Sequence, residues 1–185
     1  TACRRQRQMC IRDRNIGSLT VGGIVNNVKV FTDILMPGVK HMRHTFLPEH
    51  KFVKGQPENG EELANDLENI ANDIGGENIA ACVVEPIAGS TGVLIPPKGY
   101  LQRLRQICDK FGILLIFDEV VTGWGRTGSA FAAQEFEVTP DIITMAKATT
   151  NGIVPMGVVA VREKIYDQVM DCLLYTSDAA DDKQC

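Results

Sequence analysis

The chain has 185 residues, which is enough for one ordinary domain. Its 44% hydrophobic and 23% charged residues are typical of a soluble globular protein. A net charge of −4 argues against partners such as nucleic acid or an anionic membrane surface, and no apolar run is long enough to cross a bilayer. Six cysteines without a CxxC pair or zinc spacing favour a reduced compartment, which we take to be the cytoplasm.

The two ends of the chain differ in character from its middle. Thr1–Arg14 carries five arginines and almost no apolar pattern, and Leu173–Cys185 changes just as abruptly. One interpretation of the first stretch is a basic arm that binds nucleic acid. We favour another, because QRQMCIRD and LYTSDAADD resemble translated sequencing-adapter sequence. We therefore expect residues 1–14 and 172–185 to be non-native and residues 15–171 to form the interpretable domain.

The first part of this domain, Asn15–Pro57, is rich in Gly, Asn and Pro and predicts loops with short helical pieces. It contains His41, His44 and His50, which are close enough in sequence to raise the possibility of a metal site. Pro48 breaks any helical face that they could share, and no cysteine joins them. We therefore expect no metal here.

Two amphipathic helices follow, each with apolar residues spaced at three and four positions. The first is predicted at Gly60–Ile74, with Asn59 as its N-cap and Gly75–Gly76 at its end. The second is predicted at Tyr100–Phe111, and Gly112 stops it. Their polar faces are those of helices that lie on the surface of a domain.

Four apolar runs alternate with these helices and predict strands at Ile79–Val84, Ile113–Phe117, Asp141–Ala146 and Met156–Val161. Runs without alternation are typical of strands that are covered on both faces. Strand, helix and strand in this order imply a right-handed βαβ unit and a parallel sheet. A further helix is predicted at Glu163–Met170, so the fold class is α/β.

Two polar residues follow strands at their carboxyl ends, where open α/β sheets bind ligands. Asp118 and Lys147 could therefore meet across one small molecule. Lys147 is either a lysine that reaches solvent from a strand end or a partly desolvated amine suited to covalent chemistry. Its position alone leaves both interpretations open. An apolar run before Asp118 and Glu119 is also similar to the Walker B strand of an ATPase. That alternative needs a phosphate-binding loop absent from this chain, and it leaves Lys147 unexplained.

Three segments in order, EPIAGSTGVLIPPKGYL, LLIFDEVVTGWGRTG and AKATTNGIVPMG, resemble the class III aminotransferases of pyridoxal phosphate (PLP) fold type I. The resemblance covers residues 15–171, roughly a third of a full-length member. It implies part of the large PLP-binding domain, a mostly parallel sheet with flanking helices. A member of this family transfers an amino group from a small-molecule amine donor to a keto acid acceptor.

The resemblance also implies roles for single residues. Lys147 matches the lysine that binds the cofactor covalently, and Asp118 matches the aspartate that pairs with the pyridine nitrogen. Val120 matches the apolar residue packed on the face of the ring. Glu85 matches a glutamate with a supporting role near the site, although a strand-end carboxylate in a salt bridge is an equal interpretation.

Departures from the family pattern narrow the subfamily. Ornithine-type and GABA-type members have a glutamate where this chain has Ser90, and a glutamine where it has Val121. The amino-acid sequences of these segments are more similar to those of β-alanine:pyruvate and other ω-amino acid:pyruvate aminotransferases. A mutase or decarboxylase of the same family, and a non-catalytic relic of the fold, remain alternatives.

The same resemblance predicts what the fragment lacks. The phosphate-binding loop is expected before Asn15, and the arginine that grips the substrate carboxylate is expected beyond Asp171. Family members are homodimers with active sites at the subunit interface. The resemblance therefore implies that this fragment alone is inactive and poorly stable.

Overall fold

The computed structural model describes residues 16–22, 28–29, 31–50 and 53–171. The segments expected to be non-native, residues 1–14 and 172–185, lie outside these ranges, so that interpretation stays a prediction. Near the start, the described residues form an α-helix at Ile16–Val21 (α1) and 3-10 turns at Thr32–Ile34 and Pro48–His50. Loops with short helical pieces are confirmed for these ranges.

Both amphipathic helices have the predicted bounds. Helix α2 spans Gly60–Ile74 and helix α3 spans Tyr100–Phe111. Gly75 follows α2 with a φ of 84°, and Gly112 follows α3 with a φ of 70°. Glycine takes such angles without the steric cost of a Cβ, so both predicted stops are confirmed.

The start of α2 differs from the prediction. Asn59 occupies the cap position, but its side chain makes no capping hydrogen bond. Its backbone has a φ of 62°, outside the extended conformation that lets an N-cap side chain bond to the first turn. The Gly60 amide instead donates to the carbonyl of Lys98, at 3.0 Å. The first backbone amide of the helix thus donates to a residue distant in sequence instead of to a capping side chain.

The strands form one sheet in the order β1-β2-β3-β4. The first three are parallel neighbours, and β4 pairs antiparallel with β3. A short helix at Ala132–Glu135 (α4) lies in the connection from β2 to β3, and residues 163–171 are helical after β4. The strand bounds are Ala81–Val84 (β1), Leu114–Asp118 (β2), Ile142–Met145 (β3) and Val158–Val161 (β4).

The hydrophobic core lies between the sheet and the pair of long helices. Cys82, Leu115 and Phe117 point into it from β1 and β2, beside the apolar faces of α2 and α3. On the opposite face Val83 is 45% exposed and Val159 is 62% exposed. The expectation that the strands are covered on both faces is therefore not met within the described residues, because both long helices pack on the same side.

Among the described residues, no helix combines the length and apolar character needed to span a bilayer. The same residues contain no group of three His, Cys, Asp or Glu side chains arranged to hold a metal ion. His44 accepts a hydrogen bond from the Phe46 amide at 3.2 Å, and Nδ1 of His50 lies 3.2 Å from the Thr45 carbonyl oxygen. These two histidines thus have local partners.

Candidate active site

Three strands bring polar residues to one edge of the sheet. Strands β1, β2 and β3 run parallel, so their carboxyl ends meet at this edge. Asp118 is the last residue of β2 and pairs with Thr144 of β3. Lys147 follows three residues after Thr144, and Glu85 directly follows β1. The sheet therefore delivers a carboxylate and an amine from neighbouring strands, as the sequence predicts.

Asp118 is a buried carboxylate with a defined orientation. It is 5% exposed, and its Oδ1 accepts a hydrogen bond from the backbone amide of Val120 at 3.1 Å. Burial of a carboxylate is costly unless such donors compensate for lost water. Val120 is itself 6% exposed, so Asp118 lies beside an apolar neighbour rather than in bulk solvent.

Lys147 lies at a conformationally unusual position. It begins a 3-10 turn, Lys147–Thr149, and its φ is 45°. This left-handed conformation is uncommon for residues other than glycine and requires support from the surrounding structure. The turn redirects the chain after β3 and leaves Lys147 partly buried at the edge.

Glu85 shapes the loop that follows β1. Its Oε2 accepts a hydrogen bond from the Gly89 amide at 2.9 Å. Gly89 in turn lies against Val121: a Cβ added there would lie 3.0 Å from the nearest Val121 methyl carbon. The Glu85 loop and the loop after β2 are therefore packed together, which supports a positioning role for Glu85.

Glu119 is a buried group for which the sequence pattern predicts no role. It is fully buried, and its carboxylate accepts hydrogen bonds from the backbone amides of Ala132 (2.6 Å) and Ala133 (2.8 Å). The Thr122 hydroxyl donates to it at 2.9 Å. Glu119 thus joins both ends of the loop between β2 and α4. In the sequence, the one sign of this role is that Glu119 directly follows the strand-end aspartate. The sequence pattern does not reveal its hydrogen-bond partners, because they lie up to fourteen residues further along the chain.

An amine and a fixed carboxylate that follow neighbouring strands at one edge of the sheet suit covalent chemistry on a small molecule. An amine can bond to a carbonyl carbon, and a nearby buried carboxylate stabilises positive charge on a bound ring. The hydrogen bond joins Asp118 and Val120 directly, whereas Lys147 and Glu85 reach the same edge from the two flanking strands. This is the layout of a small-molecule site at the carboxyl edge of an α/β sheet.

The fold places the chain among transaminase structures. An omega transaminase from Pseudomonas jessenii in complex with PMP superposes with a TM-score of 0.77 and 31% identity, over 85% of this chain and 35% of that chain. An (S)-enantioselective omega-transaminase from Thermomicrobium roseum gives a TM-score of 0.74 and 36% identity, over 88% of this chain and 36% of that one.

Residues 10–172 match the family described as Aminotransferase class-III, and the chain belongs to this family. An omega-aminotransferase from Caulobacter vibrioides is 60% identical over 156 residues, which cover 84% of this chain and 35% of the relative. A beta-alanine--pyruvate aminotransferase from Pseudomonas aeruginosa is 48% identical over 158 residues, 85% of this chain and 35% of the relative. The chain thus spans about a third of the length of these relatives.

Proposed function

We propose that the whole protein is a PLP-dependent aminotransferase that moves an amino group from an ω-amino acid or amine to a keto acid such as pyruvate. One observation carries the proposal: Asp118 and the turn with Lys147 leave neighbouring parallel strands at the same edge, in register at Asp118 and Thr144. Membership of the class III family and similarity to an omega-aminotransferase and a beta-alanine--pyruvate aminotransferase support the reaction class.

The side chains at this edge of the sheet are of the types that PLP requires. Lys147 would hold the cofactor through a bond between its Nζ and the aldehyde carbon, Asp118 would face the pyridine nitrogen, and Val120 would pack on the ring. When bound, PLP accepts the electron pair released as a bond beside the substrate amine breaks. The aligned structure in complex with PMP supports this cofactor class for relatives of the chain.

Asp118 would act on the charge of the cofactor. A carboxylate held by the Val120 amide keeps its position and cannot rotate freely away from its partner. An opposite charge nearby favours the protonated form of the ring nitrogen. Because Asp118 is buried, water screens this interaction little. We infer that Asp118 governs the rate of the chemical step more than it governs folding.

Lys147 would have two tasks. It first binds the cofactor covalently and positions it at the sheet edge. Its Nζ, when not bonded to the cofactor, would take the proton from the substrate carbon beside the amine and return it as a general base and acid.

The substrate class is proposed from the relatives and from two positions in the loops. Ser90 and Val121 replace the acidic and amide residues of the ornithine-type and GABA-type members, and they favour an ω-amino acid:pyruvate enzyme. A mutase or decarboxylase of the same family is the second candidate. The family match covers the strand before Asp118, which favours an aminotransferase over an ATPase with a Walker B strand.

Assembly and compartment complete the proposal. We propose a homodimer for the full-length protein, as the class III resemblance implies. We also propose that the 185-residue chain alone is inactive and poorly stable, because it spans about a third of the length of its relatives. Cys82 and Cys108 are both free and buried, which supports the reduced environment of the cytoplasm.

The full-length gene product tests this proposal. With PLP bound, we expect visible absorbance of the lysine-bound cofactor and formation of alanine from pyruvate. Lys147→Ala should remove both, with turnover reduced by several orders of magnitude. Lys164→Ala, at an exposed lysine, is the matched control and should retain both. Retained turnover in the Lys147 variant would contradict the proposal. Carbon dioxide release, or rearrangement without a keto acid, would instead support the second candidate.

A further inference from the structure

We propose that Trp124 is a positioning residue for Lys147, acting through the hydroxyl of Thr149. The inference rests on the proposed function, since it gives Lys147 a task that needs a fixed amine. Trp124 lies in the loop between β2 and α4, and Thr149 ends the turn that Lys147 begins. Neither residue has a role in the function proposed above.

A chain of two hydrogen bonds links the indole to the turn. The Trp124 Nε1–H donates to the Thr149 hydroxyl oxygen at 3.0 Å. The same hydroxyl donates to the carbonyl of Ala146 at 3.1 Å, and the Thr149 amide donates to that carbonyl at 3.1 Å. Ala146 and Thr149 flank Lys147, so these bonds enclose the residue with the unusual φ of 45°.

The indole is itself held by its own loop. The ring of Phe131 meets it edge to face, with 5.3 Å between centroids and 61° between planes. Backbone amides of Trp124 and Gly125 both donate to the Ala130 carbonyl, at 2.7 and 3.1 Å. The buried carboxylate of Glu119 fixes the start and end of this loop, as described above. These contacts therefore hold the Trp124 indole in one position.

The hydrogen bond between Trp124 and Thr149 affects the direction in which the Lys147 side chain leaves the turn. A left-handed residue other than glycine returns to ordinary φ values unless outside contacts prevent it. Its side chain would then leave the sheet edge in another direction. Trp124 joins the loop after β2, the strand that ends at Asp118, to the turn that begins at Lys147, so it fixes the amine relative to the carboxylate. A misplaced amine is costly because proton transfer depends on hydrogen-bond distance.

Two variants separate this role from general stability. Thr149→Val keeps the shape of the side chain but removes the acceptor for the indole. Trp124→Phe keeps a ring beside Phe131 but removes the donor. Thr149→Ser retains the hydroxyl and is the matched control. In the full-length protein, the NMR resonance of the Trp124 indole N–H is assigned by its loss in Trp124→Phe.

The first measurement is proton exchange of this indole N–H with solvent, made without cofactor. We expect Thr149→Val to speed it by about fivefold, the effect of losing one ordinary hydrogen bond, and Thr149→Ser to leave it unchanged. The second is acetylation of Lys147 by acetic anhydride across a pH series, with exposed Lys164 as internal reference. The Lys147 rate relative to Lys164 should rise about fivefold in Thr149→Val and Trp124→Phe.

The double variant decides whether both residues act through one bond. Its Lys147 labelling rate should equal that of either single variant, because coupled residues are not additive. An unchanged Lys147 rate in the single variants, or additive effects in the double variant, would overturn the proposal. Neither readout needs PLP or turnover, so the result stands apart from the Lys147→Ala test of the function itself.

Discussion

At the scale of single residues, Asp118 shows what a sequence pattern can specify and what it cannot. An acidic residue after an apolar run predicts a carboxylate at the carboxyl end of a strand, and the structure confirms this position. The hydrogen bond from the Val120 amide depends on how the chain turns after the strand, which the apolar pattern does not encode. The position of Asp118 was therefore predictable from the sequence. The orientation of its carboxylate was not, because it depends on the conformation of the turn that follows.

Replacing Asp118 should slow the reaction far more than it weakens binding. Asp118→Ala removes the charge and is expected to lower kcat by several orders of magnitude, with about 1.4 kcal/mol of barrier for each tenfold loss. Asp118→Asn keeps the shape and an oxygen that can accept from Val120, so a similar loss would assign the effect to charge. Steady-state kinetics of the full-length protein provide the measurement. A kcat within tenfold of the original in both variants would remove Asp118 from the chemical step.

At the scale of elements, local signals predicted the helices well and the connections poorly. Helices α2 and α3 have the predicted bounds because their apolar spacing and terminal glycines act over a few residues. The strands differ from the prediction by one or two residues, since pairing with neighbours decides where each one ends. Glu119 had no predicted role because its partners lie beyond the next turn.

The packing of two loops gives a prediction for Gly89. A methyl group at this position would lie 3.0–3.3 Å from three carbon atoms of Val121, closer than ordinary van der Waals contact. Gly89→Ala should displace the loop, weaken the hydrogen bond to Glu85 and destabilise the protein by about 1–2 kcal/mol. Urea unfolding measures the change. Gly157→Ala, where the nearest atom is 3.8 Å away, is the control.

A second substitution tests the cause of that effect. Val121→Ala removes the methyl carbons that the new Cβ would meet, so the double variant should recover most of the stability lost in Gly89→Ala. Coupling of this kind is expected for residues in direct contact. If the two losses simply add, the proximity of the loops is not the source of the instability.

At the scale of the whole molecule, the carboxyl ends and the amino ends of the parallel strands have different roles. The carboxyl edge holds the candidate site, whereas the amino edge is held by charges around Asp141. One carboxylate oxygen of Asp141 accepts from the Leu115 amide at 2.8 Å and from Arg105 at 2.7 Å. Arg162 lies 3.3 Å from the other oxygen. These contacts join β2, β3, α3 and the end of β4.

This cluster makes stability depend on pH. Burial alone raises the pKa of Asp141, but hydrogen bonds from Arg105 and Leu115 outweigh it and hold the pKa below its ordinary value. A carboxyl group whose pKa is lower in the folded state stabilises the fold fully above its unfolded value of about 4. That contribution disappears as the pH falls through the folded value. Protonation would leave Arg105 with a neutral partner in a mostly buried position.

We therefore expect Asp141→Asn to lower the free energy of unfolding by about 2 kcal/mol at neutral pH, and the difference to shrink below pH about 4. Asp109→Asn is a matched control, because Asp109 binds the same Arg105 at 2.7 Å but its side chain is 64% exposed. An exposed pair contributes less than about 1 kcal/mol. Urea unfolding from pH 7 down to pH 3 measures both variants. A difference for Asp141→Asn that stays constant over this range would show that its charge is not what holds the amino edge together.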